Sequence, residues 1–519
     1  MIRLTAQEMA DLLGGRVVGD GDAAVTGDVV VDSRLAAPGA LFVALPGENV
    51  DGHDYAHRAV AAGATVVLAA REVPDDDGAA LPSVVVVPDV VEALGALARA
   101  VLGRLRRTGE LKVVAVTGSV GKTTTKDLLA QVLSASGPTV WPEKSFNNEI
   151  GLPLTVLRAD ARTRFLVLEM GASGMGHIRY LTDIAAPDVA AVLVVGSAHL
   201  GEFGGVEAIQ QAKSEIVTGL VPGGTAVLNA DDPRVRAMAP LASGPVVLFG
   251  EGDRAAVRAT DVQVDGEGRA RFRLVVGEDL PGAADGASGP AEADVQLRLV
   301  GEHHVTNALA AAACCLALGV PVGEVAERLG QAEALSPHRM QVVERPDGVT
   351  VIDDSYNANP DSVRAALKAL AVRARAGRRS IAVLGEMLEL GDEHVEAHDA
   401  VGRLAVRLDI HRLVVVGEGA RAMHTGALQE GSWGEESRLV PDVDAAYAWL
   451  QDQMRPGDVV LVKSSHGSGL WRLGDLLTGA DVAADAGPHG MTELDADADD
   501  DRAAGPGAVD AARGPGAPR

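Results

Sequence analysis

The chain has 519 residues, about three times the length of a common domain, so two to four domains are expected. Hydrophobic residues make up 47% and aromatics 3%, with 61 glycines, which permits cores of Ala, Val and Leu and excludes a chain disordered throughout. A net charge of -26, from 46 basic and 72 acidic residues, repels phosphate backbones and excludes general nucleic-acid binding. Residues 1–108 read as a small α/β domain. It starts with the helical pattern LTAQEMADLLGG, continues through short apolar runs (VVVDS, ALFVAL, ATVVLAA, PSVVVVP), and ends in the helix VVEALGALARAVLGRLRR. Residues 109–329 alternate apolar strands (VVAV, RFLVLEM, VAAVLVVG, GGTAVLN) with helical segments, which predicts a mostly parallel, doubly wound sheet. Hairpin-like alternation follows near 251–300, with an exposed loop expected over 277–294. Residues 330–481 carry VTVIDDS, RSIAVLGEM, RLVVVGEG and DVVLVKSS between Ala-rich helices, the pattern of a Rossmann-like domain. From about 482 to 519 the chain is Ala, Gly, Pro and Asp without periodicity and reads as an acidic, solvated tail.

Two adjacent cysteines, Cys314 and Cys315, form no disulfide framework and fit a reducing compartment. The N-terminal residues lack a signal-peptide pattern, and no apolar run approaches the roughly 20 residues that span a bilayer. A cytoplasmic protein without stable membrane insertion is expected.

The strongest local signal is Thr117-Gly118-Ser119-Val120-Gly121-Lys122-Thr123, between a buried-strand pattern and a helix. It is a phosphate-binding loop in which Thr117 stands where the first glycine is usual. Such a turn aims backbone N–H groups and a helix N-terminus at phosphate. Lys122 then reaches the terminal phosphates of ATP or GTP, and the Thr123 hydroxyl serves Mg2+. Glu169 ends a strand and His199 follows one, on the edge where doubly wound sheets bind ligands. Taken alone, His199 is better explained as a loop histidine than as a ligand, and Lys213 as an ordinary solvated lysine on a helix that begins near Val206.

The loop is followed in order by Asn147-Asn148-Glu149-Ile150-Gly151, Glu169-Met170-Gly171-Ala172, Ala198-His199-Leu200-Gly201-Glu202-Phe203-Gly204 and Ala212-Lys213-Ser214-Glu215-Ile216. Further on stand Asn229-Ala230-Asp231-Asp232, the block Gly301–Ala310, Asp353-Asp354-Ser355-Tyr356-Asn357-Ala358-Asn359-Pro360 and the block Leu384–Gly391. This ordered set resembles the Mur ligases, and its last two blocks the MurF type, over residues 1 to about 480.

The resemblance implies a UDP-substrate-binding domain, a central ATPase and a Rossmann-like C-terminal domain. It also implies ATP-driven joining of UDP-N-acetylmuramoyl-tripeptide to D-alanyl-D-alanine through an acyl phosphate, by a cytoplasmic monomer serving peptidoglycan synthesis. On matching positions it assigns catalysis to Lys122, Glu169, His199 and Lys213. Mg2+ falls to Thr123, Glu169, His199 and Lys213, the lysine as a CO2-derived carbamate. Nucleotide contacts fall to the loop from Thr117 to Thr123 (Gly118, Ser119, Val120, Gly121, Lys122) with Asn307 on adenine, Arg339 on phosphate and Asp354 on ribose. Substrate contacts fall to Ser33, Arg34, Asp51, Gly52, His53, Asn147, Asn148, Ser173, Tyr356, Asn357 and Asn359. In the first domain, where Asp32-Ser33-Arg34 and Asp51-Gly52-His53 resemble the uridine-nucleotide pocket, Asp32 or His53 could instead simply brace a turn.

The chain departs from that pattern at His338, where many relatives have Gly, and at Lys463-Ser464-Ser465-His466, where His466 replaces an arginine. Two rival functions are a nucleotide-switched binding protein and another amide ligase of the same fold. The first predicts no second substrate pocket, and the second, such as a folate-polyglutamate or cyanophycin-type enzyme, lacks a UDP-binding first domain.

Overall fold

The computed structural model describes residues 1–47, 50–73, 81–142, 145–196, 205–278, 280, 291–375, 377–431 and 436–479. The tail expected from 482 lies outside the described residues, as does His199. Three α/β units follow one another, each built on its own sheet.

The first unit has a five-stranded sheet ordered Arg16–Gly19, Ser83–Val86, Val66–Ala69, Leu41–Val43, Val29–Val30, parallel except at its first strand. The helix Val90–Thr108 then leaves it. Asp89 caps that helix, accepting from the Glu92 N–H at 2.9 Å. One face carries Leu94, Leu97, Val101, Leu102 and Leu105, which share a core with Leu152, Leu157 and Ile184 of the central unit. Each buried leucine is worth about 1.5–3 kcal/mol on transfer from water, so this helix ties the first two units together.

The central sheet has nine strands. Its parallel heart contains β1 (Lys112–Thr117), β2 (Phe165–Glu169), β3 (Val189–Val192) and β4 (Thr225–Asn229), with β1 between β2 and β3. The sequence VVAV is apolar on both faces because helices cover both sides of a parallel sheet. Helix α1 (Lys122–Ser136) follows β1, α2 (His177–Ile184) follows β2, and α3 (Val206–Thr218) precedes β4. Helix α4 (His304–Ala317) is buried on almost every side. An antiparallel meander, Val257–Val264, Arg269–Val276 and Ala291–Val300, extends the sheet. Its last strand corrects the expected loop: residues 291–294 pair with 273–276, because ladder hydrogen bonds continue past the composition boundary.

The last unit has six strands. β5 (Gln341–Glu344) runs antiparallel to β6 (Thr350–Asp353), which lies parallel to β7 (Val459–Lys463). Helix α5 (Pro360–Ala374) follows β6, and α6 (Trp471–Thr478) follows β7. Buried Arg373 on α5 reaches back to the central meander, donating to the Glu267 carbonyl at 2.7 Å while pairing with Glu344 at 2.9 Å. The connecting segment docks on α1, the helix of the phosphate loop. The Gln131 amide and the Glu333 backbone exchange two hydrogen bonds at 2.9 and 3.0 Å. Buried Lys126 donates to Ser336 Oγ at 3.2 Å, and the Ser336 N–H donates to Asp127 at 3.1 Å. The last domain is thereby held over the loop between β1 and α1.

Candidate active site

The phosphate loop is built as its sequence demands. Thr117 is the final residue of β1, paired with Val192, so its Cβ is accommodated in the sheet where a glycine is usual. Its buried Oγ1 has no hydrogen-bond partner among the described residues. Gly121 caps α1 at φ 84°, a conformation that favours glycine, and a Cβ there would collide with the Asn307 amide. Ser119 is pinned from both sides: its N–H donates to the Val194 carbonyl at 2.8 Å, and its Oγ accepts from the Gly196 N–H at 2.9 Å. Lys122 Nζ donates back to the Gly118 carbonyl at 2.9 Å. Desolvation pushes the Lys122 ammonium below the usual lysine range; Glu169 opposes this and Arg339 reinforces it.

Oxygen donors gather beside Thr123. Its Oγ1 donates to Glu169 Oε2 at 3.0 Å and lies 3.1 Å from Ser145 Oγ. Asn147 Nδ2 donates to Glu169 Oε1 at 3.0 Å. Glu169 ends β2 opposite Val116, next to the start of the loop, and is buried. A buried carboxylate with two hydroxyls and an amide is the hard oxygen set that Mg2+ takes, so these residues fit the ion. Lys213, on α3, is 2% exposed. Desolvation, and then the charge of Lys122, push its amine down to about 7; no carboxylate among the described residues raises it. From the last domain, Arg339 donates to Ser145 Oγ at 3.3 Å and lies 4.0 Å over the Tyr356 ring.

Other expected site residues are engaged with neighbours. Asp354 accepts from the Met340 N–H at 3.1 Å and pairs with buried Lys463 at 2.5 Å. Lys463 also donates to the Asn357 carbonyl at 2.8 Å. Asn359 caps α5, accepting from the Ser362 N–H at 2.9 Å, and Asn148 accepts from the Gly151 N–H at 2.9 Å. Ser173 lies 3.0 Å from the His177 ring. In the first domain, Arg34 pairs with Asp32, and Ser33 is buried beside them. His53 uses both ring nitrogens: Nδ1 is 2.5 Å from Asp51, and Nε2 accepts from the Ala70 N–H at 2.9 Å. Desolvation of Asp51 is outweighed by hydrogen bonds from His53 and Arg71, which lower its carboxyl to about 2. Gly52 is required because a Cβ there would lie 2.6 Å from the Leu45 carbonyl.

Sequence reasoning gave no role to three residues that the structure brings in. Ser145 bridges Thr123 to Arg339, and its adjacency to the Asn147-Asn148 block was the available signal. Glu215, two residues after Lys213, accepts from the Gly176 and Arg179 N–H groups at 2.8 and 3.0 Å, fixing the start of α2 beside Ser173. Lys463 is the counter-ion of Asp354.

A phosphate loop on a parallel sheet, a buried oxygen cluster beside it and an arginine delivered by a third domain define an ATP-dependent ligase. Residues 116–315 match the Mur ligase middle domain, residues 338–466 the Mur ligase glutamate ligase domain, and residues 28–101 the Mur ligase family catalytic domain. The chain belongs to the Mur ligase family. It is 47% identical to the UDP-N-acetylmuramoyl-tripeptide–D-alanyl-D-alanine ligase of Mycobacterium tuberculosis H37Rv, over 94% of this chain and 100% of that one. The Escherichia coli K12 ligase of the same name is 35% identical over 85% of this chain and 92% of its own. MurF from Acinetobacter baumannii superposes with a TM-score of 0.78 at 32% identity, covering 92% of this chain and 99% of that one. MurF from Thermotoga maritima in complex with ADP gives 0.72 at 30% identity, over 88% and 98%.

Proposed function

We infer that this chain joins UDP-N-acetylmuramoyl-tripeptide to D-alanyl-D-alanine, producing UDP-N-acetylmuramoyl-pentapeptide, ADP and phosphate for peptidoglycan synthesis. The observation that carries this is the meeting of Lys122, Thr123, Glu169 and Arg339 in a chain 47% identical along its length to ligases of that name. A carboxylate is a poor electrophile at neutral pH, so activation comes first. A tripeptide carboxylate oxygen attacks the γ-phosphorus, the bond to the bridging oxygen breaks, and ADP leaves. The amine of D-alanyl-D-alanine then adds to the acyl carbon of the acyl phosphate. The tetrahedral adduct expels phosphate, and the amine proton passes to solvent.

The difficulty of the first step is repulsion between two anions, and this chain meets it with cations and oriented N–H groups. Lys122 and the loop amides face the phosphates, and Arg339 enters from the opposite domain. Thr123, Glu169, His199 and Lys213 would hold Mg2+, which when bound would supply further positive charge to this site. For Lys213 this requires a carbamate. Burial, with no counter-charge among the described residues, favours that modification, because a neutral amine is the nucleophile that takes CO2. Asp354 keeps spare lone pairs for a ribose hydroxyl, since one partner occupies each oxygen. Asn307, against Gly121, borders the loop on the adenine side. Asn147, Asn148, Ser173 and the first domain serve the muramoyl substrate; Tyr356, Asn357 and Asn359 line the last domain's contribution.

ATP and UDP-linked substrates and two free buried cysteines support a cytoplasmic location. Among the described residues no helix is long and apolar enough to cross a membrane. The test is ADP release with UDP-N-acetylmuramoyl-tripeptide, with and without D-alanyl-D-alanine. Release that needs the muramoyl peptide, with pentapeptide formed only when the dipeptide is present, is expected. Release indifferent to both substrates would overturn the assignment.

A further inference from the structure

We propose that His338, gripped by Asp353 and Asp475, is a positioning residue that presents Arg339 to the phosphate loop. The role rests on the reading of Arg339 as a phosphate-side cation. Arg339 sits between two non-glycine residues in the left-handed region, His338 at φ 57° and Met340 at φ 51°. Side chains crowd the backbone there, so neighbouring contacts must hold both residues. Successive carboxylates at the end of β6 do so. Asp353 Oδ2 accepts from His338 Nδ1 at 2.7 Å, and Asp354 Oδ1 accepts from the Met340 N–H at 3.1 Å. The Tyr356 N–H donates to the His338 carbonyl at 3.2 Å. From α6, Asp475 Oδ1 faces His338 Nε2 at 3.6 Å.

A chain of rings closes the grip. Trp471 meets His338 edge-on at 6.5 Å and stacks on His466 at 5.9 Å; His466 lies 5.4 Å from Tyr356, over which the Arg339 guanidinium rests. His466 is therefore part of the same support. The ligand-capable atoms of His338, Asp353 and Asp475 all lie within 4.8 Å. Nδ1 is nevertheless spent on Asp353, whose other oxygen accepts from Ser355 N–H and Oγ at 3.1 and 2.6 Å. The set is a clamp, with the imidazole hydrogen-bonded to Asp353 and facing Asp475, and not a metal centre.

The test is a double-mutant cycle on the full-length enzyme. His338→Gly accepts the backbone angle and deletes the imidazole, while His338→Asn keeps a donor near Nδ1 and tolerates a positive φ. His338→Gly should melt close to wild type yet lose about 10- to 100-fold in kcat/KM for ATP, the scale of a misplaced charge. KM for the muramoyl tripeptide should stay within about 2-fold, because uniform binding is untouched. His338→Asn should recover most of the loss. In an Arg339→Ala background, His338→Gly should cost nothing further. A His338→Gly enzyme at wild-type rate, or additive losses in the cycle, overturns the positioning role alone. Wild-type ATP kinetics in Arg339→Ala overturn the reading of Arg339 and the positioning role with it. A stoichiometric transition metal lost on His338→Gly would overturn the hydrogen-bonded clamp.

Discussion

The Asp51–His53 turn of the first domain and the Lys122–Thr123 loop of the central domain are alike in sequence: each is a short glycine-containing turn with polar residues. Their surroundings differ. His53 spends both nitrogens on Asp51 and Ala70, and Asp51 is filled by His53 and Arg71. Around the phosphate loop the accounts stay open. Thr117 Oγ1 and Arg339 Nε are buried without a partner among the described residues, and Lys213 is desolvated with no carboxylate raising its pKa. Buried polar atoms are otherwise almost always satisfied, so orphaned donors and an unbalanced lysine mark a place shaped for a ligand. Closed networks mark a brace.

That contrast breaks first at Lys122. Lys122→Ala should remove about 10³-fold or more of ligation rate while melting within a few degrees of wild type, on the proposal that its ammonium acts on transferring phosphate. Near-normal ADP formation by the folded variant would contradict this. Lys213 comes next. Lys213→Ala and Lys213→Arg should both lose about 100-fold or more, because neither forms a carbamate. Short carboxylic acids should restore part of the Ala variant, and CO2-depleted buffer should slow the wild type. An active Arg variant would show that the charge itself is used.

The bracing side gives smaller effects. His53→Ala strands the Ala70 N–H and should cost about 1–3 kcal/mol in urea unfolding. KM for the UDP substrate should move by no more than about 3-fold in the folded enzyme. A tenfold rise in KM without lost stability would make His53 a ligand contact. The smallest effect is a pH dependence. Asp51 is lowered from 3.8 to about 2 in the folded chain, so the unfolded chain binds its proton first as pH falls. Its contribution is present above about 4 and fades between 4 and 2, and Asp51→Asn should remove that part of the acid limb. The carboxylate is partly exposed, so the change should be modest and salt-sensitive.

Fold class and phosphate loop were legible because both are local: strand and helix periods are written in consecutive residues, and a P-loop is one turn of chain. The order of motifs carried the family, since each block is short and contiguous. Side-chain use was not legible at the same level. Nothing in Asp51-Gly52-His53 reveals that Ala70 holds the imidazole, and nothing in Lys463-Ser464-Ser465-His466 reveals that Lys463 neutralises Asp354 from more than a hundred residues away. The loop expected over 277–294 failed at its end for the same reason: residues 291–294 look like loop by composition, but their strand partners lie across the meander.

Local sequence alone determined three α/β units and a phosphate-binding loop after β1. Tertiary structure alone decided that Ser145 links Thr123 to Arg339, that Lys213 is buried and its amine desolvated, and that a histidine could stand at a left-handed position before Arg339. The physical reason is range. Backbone hydrogen bonding and hydrophobic period act over a few residues, whereas desolvation and charge pairing depend on whatever the fold brings within a few ångströms, which no stretch of sequence records.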